Sequence, residues 1–538
     1  MRPRHLGLAA LLVALFGAGF IVGKSPAGVE GPYRELDAFV EVLGKIQRDY
    51  VDPVDTKKLV HGAIDGMMKD LDPFSQYMDK AEYADLKTIT TGHFGGLGIV
   101  ISVRDEFPTV ISPLEGTPAY AQGIQSGDVI VKIDGASTRG WSNEEAVQKL
   151  RGPEGTDVTI SITRAGEPER DYTIRREVIQ VKSVPYAFEV SPGVGYIRVS
   201  TFSETTGEEV RAAIDRMEKA GTRSLILDLR DNPGGLLTQA VDVVEAFVPK
   251  GSLVVYTKGR APGTESKAFA QGANPHTEQP LVVLSNGGSA SASEIVAGAI
   301  QDLDRGLVVG TTSFGKGSVQ SLIELRGSGT ALKLTTAKYY TPSGRSIHRD
   351  TWNQSTRELE RAADEGAFDD LPDPDAPGGA HGDSAAGDST KRPTFKTRSG
   401  RIVYGGGGIT PDELVRADTL QALSREVERR GLFFKHAVRW AAANPGATVP
   451  TMVSPAMWNG FVGLLTETKT PHTPAQLAAE RGYLERGIRR ELARRLSGPR
   501  GDEAAFRVGI EGDVQMAKAI ELLGRARTPG ELVRLSAR

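Results

Sequence analysis

The 538-residue chain contains no cysteine. That absence excludes disulfides, thiolate-ligated zinc, a thiol nucleophile and a lipoprotein anchor. Its eight histidines, at positions 5, 61, 93, 276, 348, 381, 436 and 472, stand in no recognisable motif. An excess of charge of either sign is lacking as well, with 65 Lys and Arg against 68 Asp and Glu. The formal net charge is −3, so no general electrostatic attraction to nucleic acid follows. The arginines near the C-terminus alternate with glutamates, as on a solvated helix face. There is no internal repeat, and no motif calls for a cofactor or a metal. What the composition does supply, 39% hydrophobic and 25% charged residues, is that of a globular protein with room for about three or four domains.

At the N-terminus Arg2 and Arg4 precede an uninterrupted apolar run, residues 6–23, closed by Lys24. This is the pattern of an export signal, at the short end of what spans a bilayer. No small-x-small cleavage site follows it. Residues 1–24 are therefore expected to remain as an anchor in the inner membrane, with the bulk of the chain on the periplasmic or extracytoplasmic side. A cleaved signal is the alternative. Residues 31–89 read mostly as helix, with Leu36, Phe39, Val40, Val42, Leu43 and Ile46 at helical spacing, which a packing helix pair explains. Residues 90–175 change to short strands and glycine turns. Phe94-Gly95-Gly96-Leu97-Gly98-Ile99 leads into a strand at Val100-Ile101-Ser102-Val103, residues 143–150 form a capped amphipathic helix, and residues 158–164 alternate as a strand. That order of elements resembles a PDZ domain.

Residues 176–348 alternate strand and helix. Tyr196-Ile197-Arg198-Val199, residues 224–229, Leu281-Val282-Val283-Leu284 and Leu307-Val308-Val309 read as strands, with helices at residues 205–219, 236–247 and 291–302 between them. Such alternation predicts an α/β layer with parallel strands covered by helices. Residues 349–400 turn Asp-, Gly- and Pro-rich, with too few apolar groups to offset their ordering entropy. They are expected to be a disordered surface insertion. Residues 401–538 read as largely helical, and nothing there carries chemistry by itself.

Three segments carry the chemistry. Asp228-Leu229-Arg230-Asp231-Asn232-Pro233-Gly234-Gly235 follows a buried strand and opens a helix, where ligand sites form in open α/β sheets. Its glycines let backbone N–H groups point at a developing negative charge, although an ordinary strand-to-helix turn has the same look. Ser285-Asn286-Gly287-Gly288-Ser289-Ala290-Ser291-Ala292-Ser293-Glu294-Ile295 also joins a buried strand to a helix. A serine there sits beside exposed N–H groups and the positive end of a helix dipole. Ser291 with Glu294 equally matches a capping box. Gly310-Thr311-Thr312-Ser313-Phe314-Gly315-Lys316 nearly spells a phosphate-binding loop. However, Gly317 stands where that motif needs a hydroxyl, and the residues after it alternate as a strand rather than opening a helix. A serine nucleophile needs a base. A lysine serves if desolvation leaves it uncharged near neutral pH, and Gln320, four residues on, could fix its direction.

Together these segments, with Gly96-Leu97-Gly98-Ile99, resemble the C-terminal processing peptidases, also called tail-specific proteases, over roughly residues 35–347. The resemblance implies an α/β core of crotonase/ClpP type with an inserted PDZ domain. Ser291 would be the nucleophile, Lys316 the general base and Gln320 the residue that orients it. The N–H of Ala292 and one N–H from Gly234 or Gly235 would form the oxyanion hole. The implied partners are unfolded or tagged proteins, whose free C-termini would be captured by strand addition on Gly96, Leu97, Gly98 and Ile99. The implied activity is that of a serine endopeptidase without cofactor, and the N- and C-terminal helices are compatible with a homodimer. The PDZ module beside the cleft would deliver the substrate and gate the site. One departure stands out: the family's Gly-Ile-x-Pro-Asp segment appears only after the acidic stretch, as Gly408-Ile409-Thr410-Pro411-Asp412. Two other classes remain in view, a catalytically dead PDZ scaffold and a nucleotide-binding protein using residues 310–316.

Overall fold

The computed structural model describes residues 33–164, 167–272, 276–327, 329–349 and 392–536. The expected anchor at residues 1–24 and most of the acidic stretch lie outside these residues. Among the described residues, no helix is long and apolar enough to cross a membrane.

Two compact units are present. The first contains the helices Tyr33–Asp49 and Thr56–Leu71, the second started by Asp55, whose carboxylate accepts the N–H groups of Lys57 and Lys58. The apolar stripe expected to pack this pair is uncovered within the unit: Leu36, Val40 and Val42 are more than half exposed. Two helices alone enclose too little volume to bury such a stripe.

The second unit, residues 73–538, is built on a six-stranded sheet. Its order is Tyr186–Ser191, Val194–Arg198, Ser224–Asp228, Leu281–Ser285, Leu307–Gly310, Glu413–Leu414. Every neighbouring pair is parallel except the first. Because side chains alternate along a strand, a sheet covered on both faces needs apolar residues at every position. The two sets separate cleanly. Ile197, Leu225, Leu227, Leu281, Val283 and Val308 face a core shared with the helices Thr206–Lys219, Leu237–Glu245 and Ala292–Asp302. Tyr196, Ile226, Val282, Leu284, Leu307 and Val309 face Met516, Ala519, Leu522, Leu523, Leu532 and Val533 from the C-terminal helices. At 25 cal/mol per Å² of apolar area, each large aliphatic side chain buried this way contributes about 2 kcal/mol.

A second six-stranded sheet, ordered Ile99–Arg104, Phe107–Pro113, Val129–Ile133, Asp157–Thr163, Arg170–Arg175 with Ala136–Ser137 paired to Val129–Ile133, encloses its own core of Leu97, Val110, Ile130, Ile160 and Ile174 with the helix Asn143–Leu150. The chain enters and leaves this module through one antiparallel ribbon, His93–Gly96 with Glu177–Gln180. The C-terminal helices hold the module from another side. Arg104 stacks on Phe434, Lys435 pairs with Asp105, Ser112 bonds to Asp502 (2.7 Å), and Arg495 bonds to the Ser126 carbonyl.

The acidic stretch requires a correction at its end. Thr394–Lys396 is a strand paired with Ile402–Tyr404, so order begins before residue 400. Its β-branched and aromatic residues flank a turn whose Gly400 has φ +92°, a conformation that suits glycine. Beyond this hairpin Gly408 and Ile409 return to the main core, where Ile409 is fully buried.

Candidate active site

The loops after the second, third and fourth parallel strands converge. Asp228 ends its strand completely buried and gathers Arg230 (2.7 Å), Arg198 (3.1 Å) and the Tyr196 hydroxyl (2.7 Å). Burial opposes its ionisation, but the two guanidinium groups hold its carboxyl well below the ordinary range. Arg230 reaches on to Asp513 (2.7 Å) and Gln515 (2.9 Å) at the start of a C-terminal helix. The turn that follows, residues 229–235, is laced to the serine loop. Asn286 exchanges bonds with Asp231 (2.9 and 2.6 Å), Ser289 Oγ donates to the Leu229 carbonyl (2.8 Å), and the Asn232 carbonyl accepts from Ala290 N–H (3.0 Å) and Ser293 Oγ (2.9 Å).

Ser291 stands where the serine loop becomes the helix Ala292–Asp302, with φ 53° and ψ −110°. A non-glycine residue in such a region costs about 1–3 kcal/mol, and surrounding contacts must enforce it. Gly234 packs directly against it: a side-chain carbon there would lie 2.8 Å from Ser291 Cβ and 3.0 Å from Ala292 N. Gly234 has φ +102° and donates its N–H to Asn232 Oδ1 (2.8 Å). Among the described residues, no protein acceptor is found for the N–H groups of Gly235 and Ala292.

Glu294, fully buried, does more than cap its helix. Its Oε2 accepts Ser291 N–H (2.9 Å) and Lys316 N–H (2.9 Å), and its Oε1 accepts Gly315 N–H (2.7 Å) and Ser313 Oγ–H (2.5 Å). Burial pushes this carboxyl above its usual value, against the pull of those four donors. The Ser291 and Lys316 nitrogens thus share one oxygen and lie within twice 2.9 Å of each other. The Tyr339 hydroxyl meets the same two residues from the other side, at the Ser291 carbonyl (3.0 Å) and the Lys316 carbonyl. Sequence reasoning read Glu294 only as a capping residue and gave Tyr339 no role. One signal was available: Glu294 is a lone charge early in a helix whose next six residues, through Ile300, carry no polar side chain.

Lys316 comes from the loop after Leu307–Gly310, and its Nζ lies 4.7 Å from the centre of the buried Phe74 ring. Phe74 meets His348 edge-on, and the His348 backbone packs against Gly317. Neither Phe74 nor His348 carries a sequence signal. Behind the loop, Ser313 Oγ accepts Ile409 N–H (2.6 Å) and Ser313 N–H donates to the Ile409 carbonyl (3.1 Å). The delayed Gly-Ile-x-Pro-Asp segment therefore backs the lysine loop despite the preceding acidic stretch. Lys316 is followed by the strand Ser318–Leu325, not by a helix, so the helix N-terminus that a phosphate-binding loop requires is missing. Gln320 lies on that strand and donates its amide N–H to Ser318 Oγ (2.9 Å) and Thr335 Oγ1 (3.3 Å). Among the described residues, one set of side chains brings ligand atoms close enough to share a cation, Asp215, Glu218 and His276, and none of them belongs to these loops.

Comparison with known proteins gives a consistent result. Residues 193–353 match peptidase family S41, residues 88–163 the PDZ domain, and residues 23–82 the N-terminal domain of the activating protease CtpB. A carboxy-terminal-processing protease of Bartonella bacilliformis is 46% identical over 323 residues, 59% of this chain and 74% of that protein. The carboxy-terminal processing protease CtpA of Bacillus subtilis is 36% identical over 342 residues, 63% of this chain and 72% of its own length. Among solved structures, a photosystem II D1 C-terminal processing protease shares 30% identity, with a TM-score of 0.34, over 58% of this chain and 90% of its own.

Proposed function

This chain belongs to the carboxy-terminal-processing proteases of peptidase family S41, serine-type peptidases that carry a PDZ domain, and from that premise we propose that it cuts protein chains with a Ser291–Lys316 pair. The observation that carries this reading is the shared Glu294 oxygen, which keeps the backbones of the two residues adjacent although 25 positions separate them in sequence. The Lys316 amine takes the proton from Ser291 as the hydroxyl attacks the scissile carbonyl. The same group then returns the proton to the leaving amine, and water resolves the acyl-enzyme. Gln320 Nε2 is engaged by hydroxyls, which leaves Oε1 as its acceptor for the amine.

Negative charge on the tetrahedral intermediate falls to backbone donors. Gly234 N–H is already given to Asn232, which favours Gly235 together with Ala292 as the oxyanion pair. The inward packing of Gly234 against Ser291 supports the same choice.

Substrate selection is assigned to the PDZ module. Leu97 and Gly98 turn their carbonyls inward, to Ala119 N–H (3.0 Å) and Leu114 N–H (2.8 Å). In trans peptides the next N–H points the opposite way, so those of Gly98 and Ile99 face outward. The Leu114 bond also makes Ile99 and Pro113 a non-hydrogen-bonded pair, directing Ile99 N–H to the outer side of the strand. Ile99–Arg104 is an edge strand among the described residues, and an extended C-terminus would add there with its carboxylate on these amides. Arg2, Arg4 and the apolar run behind them support export, with catalysis outside the cytoplasm.

The test compares peptides that differ only in a free or amidated C-terminus, with Ser291→Ala as the control. The free form should be cut faster and the variant should cut neither. Equal rates for both peptides would remove the PDZ role, and turnover by Ser291→Ala would remove the nucleophile.

A further inference from the structure

Two loops from different strand ends must bring one hydroxyl and one amine into register, and two buried side chains with no part in proton transfer touch both loops. We propose that Glu294 and Tyr339 are positioning residues forming a single clamp on Ser291 and Lys316, in which the carboxylate gathers the two N–H groups and the hydroxyl meets the two carbonyls. This role presupposes the Ser/Lys reading given above and adds what sets its geometry.

The clamp acts through covalent geometry. When the nitrogen and the carbonyl of a residue are both held, its tetrahedral Cα leaves one direction for the Cα–Cβ bond. Glu294 fixes the nitrogens at 2.9 Å each, and Tyr339 fixes the carbonyl sides. Both side chains therefore start from set directions. Lysine carries four flexible torsions, so where its stem begins matters more than for serine. Tyr339 ties the lysine loop a second time, through its own N–H to the Gly317 carbonyl (3.0 Å).

The hydrogen-bonding capacities of both groups suit the task. An ionised carboxylate offers about four acceptor sites, and Glu294 fills them with four donors. A protonated or amide side chain would turn a donor towards an N–H group and release one oxygen's pair of contacts. Burial and the adjacent Glu294 charge push the Tyr339 hydroxyl well above its usual value, so it remains a donor throughout the working pH range. It has one proton for two carbonyls, so its contact is shared between the two loops.

The experiment uses the full chain with Tyr339→Phe and Glu294→Gln, measuring kcat, KM, the pH–rate profile and the thermal midpoint on an unfolded protein substrate. Tyr339→Phe keeps the buried ring and deletes only the hydroxyl. Misplacement of reacting groups by an ångström costs up to ~10²-fold. Tyr339→Phe is expected to lower kcat about tenfold and Glu294→Gln about 100-fold, within that limit. KM should stay within about twofold, since neither residue lies on the PDZ module, and the pH–rate limb belonging to the lysine should move. A purely structural role would lower the thermal midpoint and leave that limb in place. A folded Tyr339→Phe enzyme with wild-type kcat and wild-type pH profile overturns the clamp; should Glu294→Gln not fold, Tyr339→Phe alone decides. Lys316→Ala in the same assay separates the two failures. Wild-type turnover by Lys316→Ala removes the Ser/Lys reading and the clamp with it. An inactive Lys316→Ala beside an unaffected Tyr339→Phe removes the clamp only.

Discussion

The serine loop and the lysine loop meet at one site but are held there by different means. The serine loop grows from a central parallel strand into the helix Ala292–Asp302, all of whose residues are buried. Five hydrogen bonds lace it to the glycine turn beside it. The lysine loop leaves the strand Leu307–Gly310 and enters Ser318–Leu325, whose outer half is exposed. Its backbone is fixed largely by groups from elsewhere: Glu294, Tyr339, Ile409 and the Ser289 carbonyl. Ser291, the proposed nucleophile, is thus placed mainly by the sheet–helix junction, whereas Lys316, the proposed base, is placed mainly by borrowed contacts. The lysine loop is accordingly the part of the site that small changes should displace.

Perturbations of each loop should sharpen this contrast. The largest effect belongs to Ser291→Ala, which should cut turnover of an unfolded substrate by ~10³-fold or more while leaving the thermal midpoint within a degree or two of wild type by calorimetry. Glycine substitutions come next. A side-chain carbon on Gly408 would sit 2.3 Å from the Ser313 carbonyl, at φ +88°, and push the lysine loop forward. Gly234→Ala would press on Ser291 Cβ instead, at φ +102°. Strain of this kind costs about 1–3 kcal/mol. Gly408→Ala should pass it to the lysine loop and lower kcat, whereas Gly234→Ala meets a rigid neighbour and should mostly lower stability in urea titrations.

Acidification gives a milder and reversible effect. The Glu294 carboxyl is raised above its ordinary value of 4.5, so it takes up a proton at a pH where ordinary glutamates remain ionised. Because the folded chain binds this proton more tightly than the unfolded one, Glu294's own contribution favours folding most below its unfolded value and is lost as pH rises through the folded one. Activity should therefore fall on acidification before the far-ultraviolet circular dichroism changes, and return on neutralisation. Simultaneous loss of both signals would contradict the assignment. The smallest change is Ser112→Ala, which removes one bond between the PDZ module and the C-terminal helices. It should cost about 1 kcal/mol and leave cleavage of a short peptide within twofold, since neither loop is touched.

The division between the loops also explains what could be read in advance. Strands buried on both faces announce themselves as continuous apolar runs, so residues 281–284 and 307–309 were legible, as was the helix after Ser291. The PDZ elements followed from local turn chemistry such as that around Gly98. The covering of the sheet's second face was not legible, because Met516, Ala519 and Leu523 sit in one helix, Val514–Gly524, whose pattern does not name the surface it meets. Arg230 reaching Asp513 pairs positions far apart in sequence. Phe74 beneath Lys316 and Tyr339 between the two loops are single residues whose role exists only once the chain has closed. Glu294 shows the middle case. Its capping bond is local and was read; its three bonds to the lysine loop are not local and were missed.

The absence of cysteine makes the central claim open to a direct chemical test. Lys316→Cys would introduce the sole thiol in the chain, and alkylation with 2-bromoethylamine would rebuild an amine of lysine-like length at that position alone. Cleavage of an unfolded protein should be lost in the variant and restored by alkylation, with the pH–rate limb moved to lower pH by the electron-withdrawing sulfur. Full activity of the unalkylated variant, or no recovery in a folded, fully alkylated one, would contradict an amine at residue 316 as the base for Ser291.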